Sequence, residues 1–128
     1  MSESARIEVK NYIEEKVEEE VYAGSDVIAH GSTSPVKVAD GKVRDGYEGI
    51  VVGVACTQDS DCSLFLKVAG KQNYPNGLNT AGLGGLTNET LLLVKVPEGQ
   101  SWELGFTNKN TTTDKTVNWR LRVRLFKK

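Results

Sequence analysis

The chain has 128 residues, and its 16 Lys and Arg nearly balance its 17 Asp and Glu, so the formal net charge is −1. This balance argues against a dedicated nucleic-acid-binding protein, and the single histidine excludes metal sites built from several histidines. A chain of this length suits one domain whose core needs neither a metal nor a disulfide.

The charges are distributed unevenly along the chain. Residues 1–20 carry seven acids and three bases, whereas residues 115–128 carry six bases and no acid. An acidic beginning and a basic end attract each other, either within one chain or between two copies.

The N-terminal residues give no sign of export or membrane insertion. Residues 1–10 are polar and lack the apolar core of a signal peptide. No window of about 18 apolar residues occurs, so a membrane-spanning helix is not expected. We therefore expect a protein that is made and assembled in the cytoplasm, without a membrane or nucleic acid as its partner.

Residues 3–21 are the only candidate helix. Apolar side chains recur there every three or four residues, at Ala5, Val9, Tyr12, Ile13, Val17 and Val21. The stripe is narrow, so such a helix needs a surface to lie on, and Val9, Tyr12, Ile13 and Val17 become candidate partner contacts. The β-branched residues leave an extended arm as the alternative. Residues 1–22 are accordingly assigned to a helix or arm and residues 23–128 to a separate domain.

After Gly24, short apolar runs alternate with clusters of Gly, Asn, Asp, Ser and Thr, a pattern typical of all-β proteins. It predicts strands near residues 26–30, 35–39, 47–57, 62–69, 90–96, 101–107 and 116–127. Short antiparallel strands in this number favour a mainly β fold, an antiparallel β-sandwich with a jelly-roll topology.

The C-terminal strand alternates most regularly. Its odd-numbered residues 117–125 are apolar, and the opposite face carries Arg120, Arg122 and Arg124. The arginine row is either a solvated face or a site for an acidic partner, including the N-terminal segment of a neighbouring copy. Residues 50–55 are apolar on both faces, which predicts a central strand that is covered on both sides or faces a partner.

Cys56 and Cys62 flank a turn-forming segment, so the pattern predicts a β-hairpin with both sulfur atoms on its apolar face. They form either a cross-strand disulfide or two reduced, buried thiols. Asp59 and Asp61 lie between them and are interpreted as a solvated tip, because the complete calcium-loop pattern is absent. The sequence therefore predicts no metal site.

Residues 70–87 form the longest irregular stretch, and loops of this length are uncommon unless they have a function. Lys71, Asn73, Tyr74 and Asn76 are the candidates for contacting a protein partner or a sugar. His30 has no Ser, Cys or carboxylate beside it in a recognisable catalytic motif. The sequence therefore favours a protein without catalytic residues or a cofactor.

Two segments carry a resemblance to a known class. In residues 94–107 a strand ends in Pro-x-Gly and an alternating aromatic run follows, and residues 21–30 show a similar turn-then-strand opening. Together with the polar arm, this resembles the small jelly-roll structural proteins of virions, of the capsid-decoration or minor-capsid type. The resemblance implies a non-catalytic homo-oligomer in the virion, with a trimer favoured and a capsid or other protein lattice as its partner.

The sequence thus leads to three hypotheses. The first is an oligomeric β-sandwich that decorates or stabilises a viral capsid. The alternative is a carbohydrate-binding module that uses loop 70–87. An enzyme of the small β-barrel or cupin kind ranks third, because cupin metal sites generally use several histidines and this chain has one.

Overall fold

The computed structural model describes residues 17–128, which form nine strands and a 3-10 turn. The strands are β1 (Val17–Ile28), β2 (Ser32–Lys42), β3 (Tyr47–Cys56), β4 (Cys62–Val68), β5 (Lys71–Gln72), β6 (Leu78–Asn79), β7 (Thr90–Val96), β8 (Ser101–Asn108) and β9 (Lys115–Lys127), and the turn is Thr80–Gly82. In this part of the chain no helix is long and apolar enough to cross a membrane.

The strands form two antiparallel sheets. The first sheet has the order β1-β9-β3-β7, and the second has the order β2-β8-β4-β5, with β6 also paired to β4. Apart from the steps β4 to β5 and β5 to β6, every step along the chain passes from one sheet to the other. This alternation is that of a jelly roll, so the predicted fold class and topology are confirmed.

The core lies between the two sheets and follows the period-two pattern of the sequence. On β9 the buried side chains are Val117, Trp119, Leu121, Val123 and Leu125. On β8, Trp102, Leu104 and Phe106 are buried and belong to the same core cluster. The alternation therefore assigned the inward faces of both strands correctly.

Each tryptophan lies over a glycine of the neighbouring edge strand. Trp119 pairs with Gly24 across β9 and β1, and Trp102 pairs with Gly41 across β8 and β2. A Cβ atom on Gly24 would lie 2.8 Å from the indole of Trp119, and one on Gly41 would lie 2.7 Å from that of Trp102. These glycines give the two largest side chains of the core the space they occupy.

The predicted helix is wrong over residues 17–21. These residues begin β1, which pairs with β9 without a register shift from Val17 opposite Phe126 to Ile28 opposite Lys115. A lone helix with a narrow apolar stripe is marginal in water, and a complete antiparallel ladder satisfies the same backbone groups. The boundary expected between residues 22 and 23 falls inside β1. The rest of the predicted helix or arm, with Val9, Tyr12 and Ile13, lies outside the described residues.

The predicted hairpin between Cys56 and Cys62 is also wrong. Cys56 ends β3 in the first sheet and Cys62 begins β4 in the second, so the segment between them crosses from one sheet to the other. A crossover uses the same turn residues as a hairpin. Both cysteines still face the core, because the inner faces of the two sheets meet there.

Candidate interaction surface

The outer face of the first sheet, turned away from the core, combines charge with exposed apolar side chains. The strand register places its residues in rows across β1, β9 and β3: Val17, Phe126 and Glu48, then Glu19, Arg124 and Ile50, then Val21, Arg122 and Gly53. On the free edge strand β7, Lys95 lies opposite Ile50 and Leu91 lies opposite Gly53.

Arg122 is held between two glutamates on this face. Its Nη2 and Nε donate to Glu89 at 2.7 and 3.1 Å, and its Nη1 donates to Glu19 at 3.0 Å. The hydrogen bonds from Arg122 lower the pKa of Glu89 below its ordinary value. Glu19 also accepts from Arg124, and these two arginines lower its pKa as well. Of the acidic beginning of the chain, Glu19 therefore pairs with the basic end within one chain.

Arg120 differs from the other two arginines of the row. It is exposed, and it forms no ion pair with any residue from 17 to 128. Two of the three arginines in the predicted row thus form ion pairs with glutamates of the same chain. Of the three arginines, Arg120 is the one whose charge no residue from 17 to 128 pairs.

An apolar cleft lies at one end of this outer face. Ile50, Leu93 and Phe126 form its apolar part, Glu48, Gly49 and Lys95 complete the lining, and its volume is about 270 Å³. Leu93 is 62% exposed and Phe126 is 37% exposed. The Glu48 carboxylate lies 3.8 Å from the ammonium groups of both Lys95 and Lys128. The cleft therefore has an apolar floor and a rim that carries both signs of charge.

Leu93 reaches this cleft from a strained backbone. Its φ of 52° is in the left-handed region, which costs a non-glycine residue about 1–3 kcal/mol. The pairing of β3 with β7 also shifts register between Val51 and Gly53, next to Leu93. The bulge interrupts the exposed edge strand β7. Such interruptions limit the pairing of an edge strand with strands of other molecules.

The loop predicted at residues 70–87 is largely ordered against β4. Gln72 pairs with Lys67, Leu78 pairs with Leu64 and Asn79 pairs with Ser63. Tyr74 is half-buried and packs against the core, and this burial raises the pKa of its hydroxyl group. Lys71, Asn73 and Asn76 are exposed. The structure thus separates Tyr74, which supports the fold, from the three exposed polar residues around it.

A second depression lies on the outer face of the second sheet, centred on Gly105. Its volume is about 250 Å³, and its lining is Ser34, Pro35, Lys37, Phe65, Lys67, Gln72, Glu103, Leu104 and Gly105. Gly105 opens the depression because it has no side chain between the neighbours it pairs with, Phe65 and Lys37. One aromatic ring and several polar groups therefore surround a shallow space.

The two cysteines are free and completely buried. Burial raises the pKa of the Cys56 thiol to about 11, and it also raises the pKa of Cys62. A thiol with a raised pKa forms little of the reactive thiolate near neutral pH.

The loops at the opposite end of the sandwich pair their own polar groups. Lys115 lies 3.3 Å from Asp59 and 3.7 Å from Asp61. The backbone N–H of Asp61, followed by Lys115, lowers the pKa of Asp59. His30 contacts Asp114 through Nδ1 at 2.7 Å. Among residues 17–128 no cluster of His, Cys, Asp and Glu has the composition of a metal site.

The sequence patterns missed most of the apolar cleft and both glutamates that hold Arg122. The pattern predicted a strand near residues 90–96 but did not indicate which of its leucines face outward, and Leu91 and Leu93 are 61% and 62% exposed. The leucine run itself was the usable signal. An edge strand that faces solvent on one side needs apolar side chains only on its other face, and this run is more apolar than that.

Comparisons with known proteins identify a similar fold. No protein family matches the chain by sequence, and no characterised protein does so. Among solved structures, the VP2 subviral particle of infectious bursal disease virus matches with a TM-score of 0.51 and 12% identity, over 86% of this chain. The match covers 32% of the VP2 chain, so this chain spans about a third of that protein's length. At this identity the likeness concerns the fold alone, and it agrees with the β-sandwich described above.

Proposed function

We propose that the chain is a non-catalytic structural protein, an oligomeric β-sandwich that decorates or stabilises a virion. The observation that carries this proposal is the apolar cleft of Ile50, Leu93 and Phe126 on the outer face of the first sheet. The core between the sheets is complete without these side chains. Exposed apolar groups that the fold itself does not need mark surfaces that other molecules cover.

The position of the cleft supports assembly with other proteins. It lies beside β7, whose outer side exposes Leu91 as well as Leu93. An apolar centre within a charged rim is the usual arrangement of a protein–protein interface. The fold likeness to a viral capsid protein gives this assembly its proposed setting, the virion, and a trimer is the favoured state.

The side chains that most often perform catalysis have structural partners here. His30 contacts Asp114, Lys115 lies between Asp59 and Asp61, and Cys56 is buried as a thiol. None of these groups lines the apolar cleft. This distribution supports a binding role rather than a chemical one.

Native mass is the direct test of the proposal. Light scattering on the full chain over a range of concentrations should give a multiple of the 14.0 kDa chain, with a trimer as the expected species. Cryo-electron microscopy of the purified assembly should then place the outer face of the first sheet at subunit contacts. A 14.0 kDa species at every concentration, with no affinity for capsid particles, would overturn the proposal.

Carbohydrate binding is the second candidate function, and the depression at Gly105 is the observation that favours it. The Phe65 ring offers a surface for stacking on a sugar, while Gln72 and Glu103 offer hydrogen-bonding groups. From the neighbouring loop Gln72 lines the depression, whereas Lys71, Asn73 and Asn76 do not. A glycan array that is positive for the wild type and negative for Phe65→Ala would support this function, and an array without hits would remove it.

A further inference from the structure

The apolar cleft opens at the end of the first sheet where the described chain begins. Val17, the first residue of β1, pairs with Phe126 of β9, and Phe126 lines the cleft. Glu48 pairs with Phe126 from the other side and lies on the rim. Val17 therefore lies within two strand spacings of the cleft, about 10 Å.

The sequence before Val17 contains a short segment whose chemistry matches the cleft. In residues 6–10, the apolar Ile7 and Val9 alternate with Arg6, Glu8 and Lys10. This period-two alternation places Ile7 and Val9 on one face of an extended segment and the charges on the other. A volume of about 270 Å³ is below the range of sites for drug-sized ligands, and it suits a pair of aliphatic side chains.

The rim of the cleft complements the charges of the same segment. Glu48 and Lys95 lie on the rim, with Lys128 near Glu48. A segment that carries Arg6, Glu8 and Lys10 can therefore place opposite charges against both signs. The cleft thus has an apolar floor for Ile7 and Val9 and rim groups for the charges between them.

A second copy is a better source of this segment than the same chain. Val17 lies at the end of the sheet beside Phe126, and the cleft extends inward from there to Ile50 and Leu93. Residues 5–16 of the same chain would need a reversal of direction to enter it, yet they contain neither Gly nor Pro, with Asn11 as their one turn-favouring residue. A neighbouring copy needs no such reversal.

We propose that residues 5–13 of a second copy bind in the apolar cleft, with Ile7 and Val9 packed against Ile50, Leu93 and Phe126. This inference rests on the proposed function, because it names the contact by which copies join. It also gives a role to the strained backbone of Leu93, which aims an apolar side chain at the incoming segment.

The first experiment compares two substitutions that are equally exposed on the same face. Leu93 is 62% exposed and lines the cleft, whereas Val27 is 64% exposed at the far end of β1. Leu93→Lys, and separately removal of residues 1–13, should raise the dissociation constant of the oligomer about 10- to 100-fold, the effect of losing one buried aliphatic side chain. Val27→Lys should leave it unchanged. Circular dichroism of each variant checks that the sandwich is folded.

The second experiment identifies which copy supplies the segment. A Val9→Cys chain is mixed with a Leu93→Cys chain under mild oxidation, and a Val27→Cys chain serves as the matched control. Formation of the Val9–Leu93 disulfide between the two chains, above the level of the control, supports the proposal. Equal cross-linking to both positions, or none, overturns it.

The outcomes separate this inference from the proposed function. A wild type that oligomerises, with Leu93→Lys and the truncated chain oligomerising equally well, overturns the inference and leaves the structural role intact. A wild type that stays at 14.0 kDa at every concentration and does not cross-link overturns both.

Discussion

Glu89 reaches Arg122 across the backbone of Gly53 and holds it with two hydrogen bonds, at 2.7 and 3.1 Å. A Cβ atom on Gly53 would lie 2.8 Å from Cγ and Cδ of Glu89. Because Gly53 has no side chain, the Glu89 side chain can pass over its backbone to reach Arg122. The pair ties the segment before β7 to the central strand β9, on the same face as the apolar cleft.

Removing this arginine should destabilise the sandwich. Arg122→Ala should lower the free energy of unfolding more than Arg120→Ala does, because it removes an ion pair held by two hydrogen bonds and leaves Glu89 without its partner. Arg120→Ala is the matched control, since Arg120 lies in the same row and has no ion pair among residues 17–128. Urea unfolding measures both. Equal losses for the two variants would contradict the assigned role of the pair.

The same pair should make stability depend on pH in the acid range. Arg122 lowers the pKa of Glu89 in the folded protein relative to its ordinary value of 4.5. The stabilisation is therefore fully present above pH 4.5 and is lost as the pH falls through the lowered folded pKa. The stability difference between wild type and Glu89→Gln should shrink over that window. In an Arg122→Ala background, the same substitution should show a weaker pH dependence, because only the nearby Arg120 charge still lowers the pKa of Glu89.

Adding a side chain at Gly24 should destabilise the folded protein. Gly24→Ala places a Cβ atom 2.8 Å from the Trp119 indole, whose Nε1 donates to Asp26 at 2.7 Å. Overpacking of this kind costs about 1–3 kcal/mol. Gly82→Ala is the control, because a Cβ atom there meets nothing within 4 Å. Thermal unfolding should show a lower midpoint for Gly24→Ala alone, and an unchanged midpoint would show that the indole can move aside.

The cysteines should react only after unfolding. Burial and the raised pKa of Cys56, about 11, leave little accessible thiolate at pH 8. A thiol-specific reagent should therefore label the native protein slowly and modify both residues rapidly in denaturant. Fewer than two free thiols in denaturant without a reductant would show that the pair is oxidised.

The sequence predicted best where one face of a strand is buried throughout. The alternation in β8 and β9 identified their inward residues, and β7 lies at 90–96, as predicted. The prediction failed where pairing with distant strands decides the structure. Val17–Val21 has helical spacing, yet β9 supplies a complete ladder for it. Cys56 and Cys62 have hairpin spacing, yet they belong to different sheets.

The candidate site was less predictable for the same reason. The arginine row was visible, but its partner Glu19 becomes its neighbour only through the pairing of β1 with β9, and Glu89 only through a loop of the first sheet. Residues 50–55 were expected to be covered on both faces or to face a partner. On the outer side, Glu89 covers Gly53, while Ile50 lies in the open cleft. The strand register decides which outward-facing residues lie side by side on one surface. The register in turn depends on pairing between residues that are far apart in the sequence.

The position of β9 has a consequence for how the protein is made. β9 lies between β1 and β3, so these two strands of the first sheet are joined only through the strand that follows all the others described. β1 and β3 therefore have no common neighbour until residues 115–127 are available for pairing. The first sheet cannot close before β9 is made, and its many contacts between distant residues make folding slow, on the order of milliseconds to seconds.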